Sequence, residues 1–465
     1  MPDIEMETGS FRDPAGKVFY RDGSVYRSIM PVAREDYEFT RDCGLLKDLM
    51  ENGLLVGCRE VEAGDFSEAV PGAAYVLKHE KIPFISYPYE WPFQALKEAA
   101  LCQLAVHMRA LEFDVTLSDA TAYNVQFKGT KPVFIDVLSL RKYRDGEFWT
   151  GNSQFYRQYL NPLLMRALFG VPHNSWFRGE LDGVDQANLR RLLSLRHKFS
   201  LNIWLHVILP DLLQNKFAGE VKLEKLEKEN ARNLPKARLQ HMLGGLAKWI
   251  TRLKPKGGVT VWQDYAENNS YQDGAAQEKM DFVKALAQDL KPAMLWDLGC
   301  NTGAYSEISL AAGAARVIGF DFDTGALDGA FQRGRDKDLD FLPLFMDATN
   351  PSPDLGWALR ERKSIMGRKG ADAVLALAFV HHLAIGANIP LDEVVEWITG
   401  LAPSGVVEFV PKSDPMVLRM LMMREDIFPD YTEENFAASL QKHRRIMATQ
   451  ALSGSGRKLF RYGPA

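Results

Sequence analysis

Cysteine is scarce in this sequence, and what there is lies scattered. Cys43, Cys58, Cys102 and Cys300 form no CxxC pair, so neither a disulfide framework nor a zinc knuckle is expected, and a reducing, cytoplasmic setting fits. A long apolar run is also missing. The most apolar later stretch, LNIWLHVILPDLL (201–213), is too short for a membrane span and carries a histidine, a proline and an aspartate. The first residues, MPDIEMETGSFRDPAGK, are acidic and lack an apolar h-region, so no signal peptide is expected. Nor is there an excess of positive charge. Lys and Arg number 56 against 60 Asp and Glu, a formal net charge of -4. That balance argues against bulk affinity for nucleic acid, and no basic–aromatic stripe points the other way. Internal repeats and low-complexity tracts are absent as well.

What is present is a chain of 465 residues, too long for one ordinary core, so two or three domains are expected. KVFYRDGSVYRSI sets alternating apolar residues around Asp22-Gly23, the signal of a hairpin closed by a type I′ turn. IPFISYPYE (82–90) reads as a strand running into a proline-punctuated turn. QALKEAALCQLAVHMRALEF has helical spacing. VTLSDATAYNVQF and KPVFIDVLSL read as two short strands around a polar loop. From 153 to 213 the pattern is helical, with Phe155, Tyr159, Leu163 and Leu164 on one face. The charged stretch NKFAGEVKLEKLEKENARNLP (215–235) suits a connection. Beyond it, strands and helices alternate as in a parallel α/β sheet. The expected organisation is an α+β domain over 1–225, a linker or helical connection over 226–255, and an α/β domain over 256–465.

MLWDLGCNTGAYSEISL (294–310) carries the clearest chemistry. A mostly apolar run ending in an acid suits a central parallel strand; Gly299 and Gly303 bracket a tight turn, and a helix follows. A second strand, RVIGFD, ends in Asp321, where an α/β nucleotide unit places the carboxylate for ribose hydroxyls. A dinucleotide fingerprint would have glycine where Asn301 stands, to let the backbone approach a pyrophosphate. S-adenosylmethionine has no phosphate and can do without that glycine.

With these features the chain resembles the class I S-adenosylmethionine-dependent methyltransferases. WDLGCNTG is similar to their first motif, which implies Asp297 near the methionine amino group and Gly299, Cys300, Asn301 and Gly303 around the cofactor. VIGFDFD is similar to the second, with Asp321 on the ribose and Phe322 beside it. LFMDATNP resembles the third, implying Asp347 at the adenine amino group with Ala348 next to it. ADAVLALAFVHHLA and GVVEFVPKSD look like the fourth and fifth strands. VWQDYAENNSYQDGAAQEKMDFV is similar to an aromatic segment over the cofactor, which would make Trp262, Tyr265 and Tyr271 cofactor residues. The fold implied is a Rossmann-like, mostly parallel seven-stranded sheet. A hydroxyl acceptor benefits from a base near neutral pKa, and His381 and His382 follow the fourth strand at the edge where such sheets bind ligands. Glu408, Lys412 and Asp414 stand where they could line an acceptor pocket or simply be surface charges.

The first half has its own spacing. In LSDATAYNVQFKGTKPVFIDVLSL, Asp119 precedes Asn124 by five residues and Asp136 lies twelve beyond Asn124. This resembles the catalytic loop and metal-binding aspartate of the protein-kinase-like fold. The resemblance implies Asp119 orienting a hydroxyl, with Asn124 and Asp136 holding Mg²⁺ on ATP phosphates. LSD replaces HRD, IDVL replaces DFG, and the glycine-rich loop is missing. Arg27 stands in for the expected lysine. PYEW, AYNVQF, PVFID, HHLAI and EFVPKSD together are similar to bacterial two-part methyltransferases related to a nodulation host-specificity protein. The function expected is methylation of a small-molecule or glycan hydroxyl. The alternatives are a bifunctional kinase–methyltransferase and an inert cofactor-binding scaffold. Neither the acceptor nor the oligomeric state is legible here.

Overall fold

The computed structural model describes residues 4–212, 234–257, 273–422 and 424–464. The chain divides into two compact units. One holds residues 1–89, 95–257 and 355–362; the other holds 90–94, 258–354 and 363–465.

The first unit opens with an antiparallel sheet of order β1-β2-β3-β5-β4. Its strands are β1 (Ile4–Met6), β2 (Val18–Arg21), β3 (Ser24–Ile29), β4 (Cys58–Val61) and β5 (Tyr75–His79). Asp22 and Gly23 both take positive φ, 51° and 70°, so the β2–β3 hairpin closes on the turn its sequence demands. Phe19 and Tyr26 pair directly across it, rings 5.5 Å apart, over a small core with Phe66, Val70 and Val76. Residues 82–90 form no strand, contrary to the sequence reading. Pro83 and Pro88 cannot donate to a ladder, and the segment ends in a 3₁₀ turn at Pro88–Glu90. The helix that follows, α1 (Phe93–Glu112), is the one its spacing predicts.

Where two short strands were expected there are four: β6 (Val115–Leu117), β7 (Val125–Lys128), β8 (Lys131–Phe134) and β9 (Leu140–Lys142). They pair antiparallel as β6–β9 and β7–β8. The helical region from Asn152 buries Phe155, Tyr159, Leu163 and Leu164 completely, as one apolar face requires. The stretch expected to connect the domains contains a helix, α2 (Lys236–Arg252). Leu239, Leu243, Leu246 and Ile250 recur on its buried face, and it groups with the first unit.

The second unit is built on a seven-stranded, mostly parallel sheet of order β12-β11-β10-β13-β14-β16-β15. Its strands are β10 (Leu295–Leu298), β11 (Val317–Asp321), β12 (Phe341–Phe345), β13 (Ala373–Ala376), β14 (Ser404–Phe409), β15 (Arg445–Ala451) and β16 (Lys458–Gly463). The first five in sheet order are parallel to one another, and β16 runs antiparallel between β14 and β15. β10 and β13 are buried along their whole length, as central parallel strands must be. The crossovers between parallel strands carry α3 (Ala304–Ala311), α4 (Thr324–Asp336) and α5 (Leu391–Leu401). The segment 90–94 is fastened into this unit by a buried bidentate ion pair between Glu90 and Arg368, and by Gln94 N–H donating to Asp328 at 3.0 Å.

Candidate functional site

The parallel register aligns Leu298 with both Phe320 and Ala376. The turns leaving β10, β11 and β13 therefore share one edge of the sheet, the edge at which open α/β folds bind ligands. The turn after β10 is forced into a tight shape by three left-handed residues: Gly299 (φ 73°), Asn301 (φ 49°) and Gly303 (φ 80°). A Cβ on Gly303 would meet the Phe341 ring at 2.5 Å, so this position admits only glycine. Asn301 tolerates its conformation because its side chain accepts from Thr302 N–H at 2.7 Å.

Two acids dominate this edge. Asp297 is buried and accepts from Ser306 Oγ at 2.6 Å; burial pushes its carboxyl up to about 6. Asp321 ends β11 and accepts from Asn301 N–H at 2.8 Å and Asp323 N–H at 2.9 Å; burial again raises it to about 6. Asp347, past β12, is held by Thr349 through both its amide (2.9 Å) and its hydroxyl (2.6 Å). Ala348 is partly buried beside it, and Phe322 is exposed beyond Asp321. Cys300 can face a cofactor only through its backbone. Its thiol packs in the core under the turn, where burial drives its pKa well up, and only its backbone belongs to the loop. Trp262, Tyr265 and Tyr271 lie outside the described residues.

After β13, Ala378 adopts φ 49°, an unusual conformation for alanine, and its N–H donates to Glu408 Oε2 at 2.7 Å. His381 and His382 follow with ring centroids 4.1 Å apart. Burial depresses His381 to about 2 and His382 to about 4, and the nearby Arg457 charge adds to both. Both rings are neutral at physiological pH, and both fall below the near-neutral pKa expected of a base at this position, because burial disfavours the charged ring. Glu408 does not line a pocket. It is wholly buried, accepting from Lys279 Nζ at 2.5 Å and from Arg457 Nη1 at 3.3 Å. Asp414 is likewise structural, capping the helix Pro415–Leu421 and accepting from Arg457 Nε at 2.7 Å. Lys412 pairs at the surface with Asp426 at 2.9 Å. Sequence reading missed Lys279 and Arg457 altogether. The only signal for them was a carboxylate, Glu408, standing in an apolar strand that needed a cation.

In the first unit, the β6–β9 and β7–β8 pairs gather the residues singled out by spacing. Asn124 Nδ2 donates to Asp136 Oδ2 at 3.2 Å. Arg27 on β3 bridges two acids, Asp136 at 2.9 Å and Asp13 at 2.6 Å. Asp119 sits in the loop between β6 and β7, receives Thr121 N–H at 2.9 Å, and is raised by burial and then by the neighbouring Asp136. Asp13 lies in the β1–β2 connection, where Lys17 Nζ gathers the carbonyls of Ser10, Phe11 and Asp13 at 3.2, 2.9 and 2.8 Å. Among the described residues no group of three or more His, Cys, Asp or Glu side chains could hold a metal ion.

No family model matches the chain. The nodulation protein NoeA of Rhizobium meliloti (strain 1021) is 46% identical over 463 residues, which cover 98% of this chain and 95% of NoeA. Among solved structures, the N-methyltransferase NodS from Bradyrhizobium japonicum WM9 is 14% identical, with a TM-score of 0.30 over 42% of this chain and 99% of its own. Magnesium protoporphyrin IX methyltransferase (ChlM) from Synechocystis PCC 6803, with bound SAH, is 20% identical, with a TM-score of 0.31 over 48% of this chain and 95% of its own.

Proposed function

We propose that this protein, which belongs to the family of the nodulation protein NoeA, is an S-adenosylmethionine-dependent methyltransferase acting on a hydroxyl of a small molecule or glycan. The observation that carries the reading is the pair Asp297 and Asp321. Asp297 stands one residue before the end of β10 and Asp321 ends the adjacent parallel β11. Burial raises both, and a turn with left-handed residues follows Asp297. Carboxyl groups held this far from water favour a ligand that brings a cation and hydroxyl donors, the equipment of an aminoacyl nucleoside.

Asp297 would take the ligand's amino group and Asp321 its ribose hydroxyls, with Asn301 N–H keeping the Asp321 carboxylate in place. Asp347, Phe322 and Ala348 would surround the adenine, and the backbone of Gly299, Cys300 and Gly303 would line the amino-acid end. Bound there, S-adenosylmethionine supplies a methyl group on a sulfonium, transferred in line as a neutral thioether leaves. His382, the more exposed of the histidines, takes the acceptor proton. His381, packed against it, positions the ring. Neutrality keeps a second positive charge away from the sulfonium and leaves His382 in the form that can accept a proton. Incubation of a metabolite or glycan extract with the protein and isotope-labelled cofactor, followed by mass spectrometry, tests this. A labelled product that disappears in His382→Ala supports it, and absence of any labelled product speaks against it.

A second activity is favoured by one observation, the convergence of Arg27, Asn124 and Asp136. We read it as a site for ATP and Mg²⁺. The Asn124 amide nitrogen faces the Asp136 carboxylate, and a flip of that amide would set its oxygen beside the carboxylate, the two protein ligands that Mg²⁺ on nucleotide phosphates would take. Asp119 would orient a hydroxyl, and Arg27 would face the phosphates. ATP–Mg²⁺ titration decides: binding that weakens in Asp136→Asn supports a bifunctional enzyme, and no binding removes this reading.

A further inference from the structure

Within the helical region of the first unit, residues 195–208 form a segment that is apolar on both sides. Ile203 and Val207 point into the core, and Gln186 Nε2 pins this stretch by donating to the carbonyls of His206 (2.8 Å) and Val207 (3.0 Å). The other side is in water. Leu195 is 77% exposed, Phe199 90% and Leu201 70%, with Trp204 and Leu205 also exposed. Single exposed apolar residues are ordinary, whereas a run of large ones on a fastened platform marks a surface that meets something. The charge around it is one-sided. Arg191, Arg196 and Lys198 are exposed among these side chains. From Arg190 to Pro210 there is no Asp or Glu, although acids outnumber bases in the whole chain.

We propose that this face docks the protein on the surface of an anionic lipid bilayer. Phe199, Leu195 and Leu201 would enter the boundary between headgroups and acyl chains, with Trp204 at headgroup level and Arg191, Arg196 and Lys198 on lipid phosphates. The acid-free charge pattern selects this occupant, because a second copy of the same face would set cations against cations. Among the described residues no helix is long and apolar enough to cross a membrane, so the attachment is peripheral and reversible.

The test is co-sedimentation of the full chain with vesicles of phosphatidylcholine containing roughly one-third phosphatidylglycerol, against phosphatidylcholine alone. The expected result is binding to the mixed vesicles, weakened roughly tenfold or more without the anionic lipid, at raised salt, or in an Arg196→Glu, Lys198→Glu double variant. Phe199→Asp, at a side chain with almost no buried surface, should also weaken it while leaving the thermal midpoint unchanged. Two results would overturn the proposal. One is wild-type protein remaining in the supernatant with mixed vesicles. The other is Phe199→Asp converting a dimer to a monomer with vesicle binding unaltered, which would make the face a self-association surface.

Discussion

Replacing Glu408 by Gln tests the charged core behind the histidines. The carboxylate is inaccessible to water and accepts from Lys279, Arg457 and the strained Ala378 amide. Burial alone would raise its pKa. Lys279 and Arg457 overcome that and hold it below the usual range. Glutamine preserves the shape but removes the charge that pairs with buried Lys279, while Arg457 keeps its closer carboxylate, Asp414. Leaving buried charge uncompensated costs about 3–5 kcal/mol. With a urea dependence of about 1–3 kcal/mol per molar, the midpoint should fall by roughly 1–5 M. The sign with pH follows from the depressed pKa. The contribution is complete above the unfolded carboxyl pKa and lost as pH falls through the folded one. The gap between wild type and variant should therefore be full at neutral pH and narrow in acid. Urea unfolding followed by tryptophan fluorescence measures it, since Trp296 is buried in the same sheet. Equal midpoints at neutral pH would refute the reasoning. Lys412→Ala, which breaks only the surface pair with Asp426, is the control and should leave the midpoint where it is.

Other predictions concern the turn and the histidines. Gly303→Ala should destabilise the second unit by about 1–3 kcal/mol and abolish cofactor binding, because both its φ and the Phe341 ring forbid a Cβ; Asn301→Gly, by contrast, should bind the cofactor nearly as wild type. Differential scanning fluorimetry with and without S-adenosylhomocysteine distinguishes the two. His382→Ala should lower the methyl-transfer rate roughly a hundredfold or more with little change in cofactor affinity. Because His381 and His382 titrate near 2 and 4, they contribute no inflection between pH 6 and 8 to the wild-type rate. Their effect on stability has a definite sign. As pH falls from about 6.5 toward 4, the unfolded chain takes up protons that the folded one refuses, so stability declines. Asp297 and Asp321, raised to about 6, act with the opposite sign over the same range, so the readout is the difference from a His381→Ala, His382→Ala variant. A gap between the two urea midpoints that did not change with pH would contradict the burial of this pair.

Much of the second unit could be read from its sequence because its strands are buried on both faces and announce themselves as apolar runs. LWDL, VIGFD and AVLA became β10, β11 and β13. The Asp22-Gly23 hairpin was legible for an equally local reason, a dipeptide suited to two positive φ angles. What sequence reading missed was set by distance along the chain or by backbone chemistry. Glu408 looked like a pocket-lining group or a surface charge because Lys279 stands 129 residues before it and Arg457 lies 49 beyond it. Asp414 was misread for the same reason. The apolar run 82–90 has the composition of a strand, yet its prolines cannot join a ladder. β7 and β8 are four residues each, too short for alternation to separate them from the polar loop.

The central claim is that the edge formed by β10 and β11 holds S-adenosylmethionine. Isothermal titration of the full chain with S-adenosylhomocysteine tests it most directly. The account predicts one site per chain, with affinity reduced roughly tenfold or more in Asp321→Ala, where charge-assisted hydrogen bonds are lost. A wild-type chain that takes up no ligand, or an Asp321→Ala chain that binds as tightly as wild type, would contradict it.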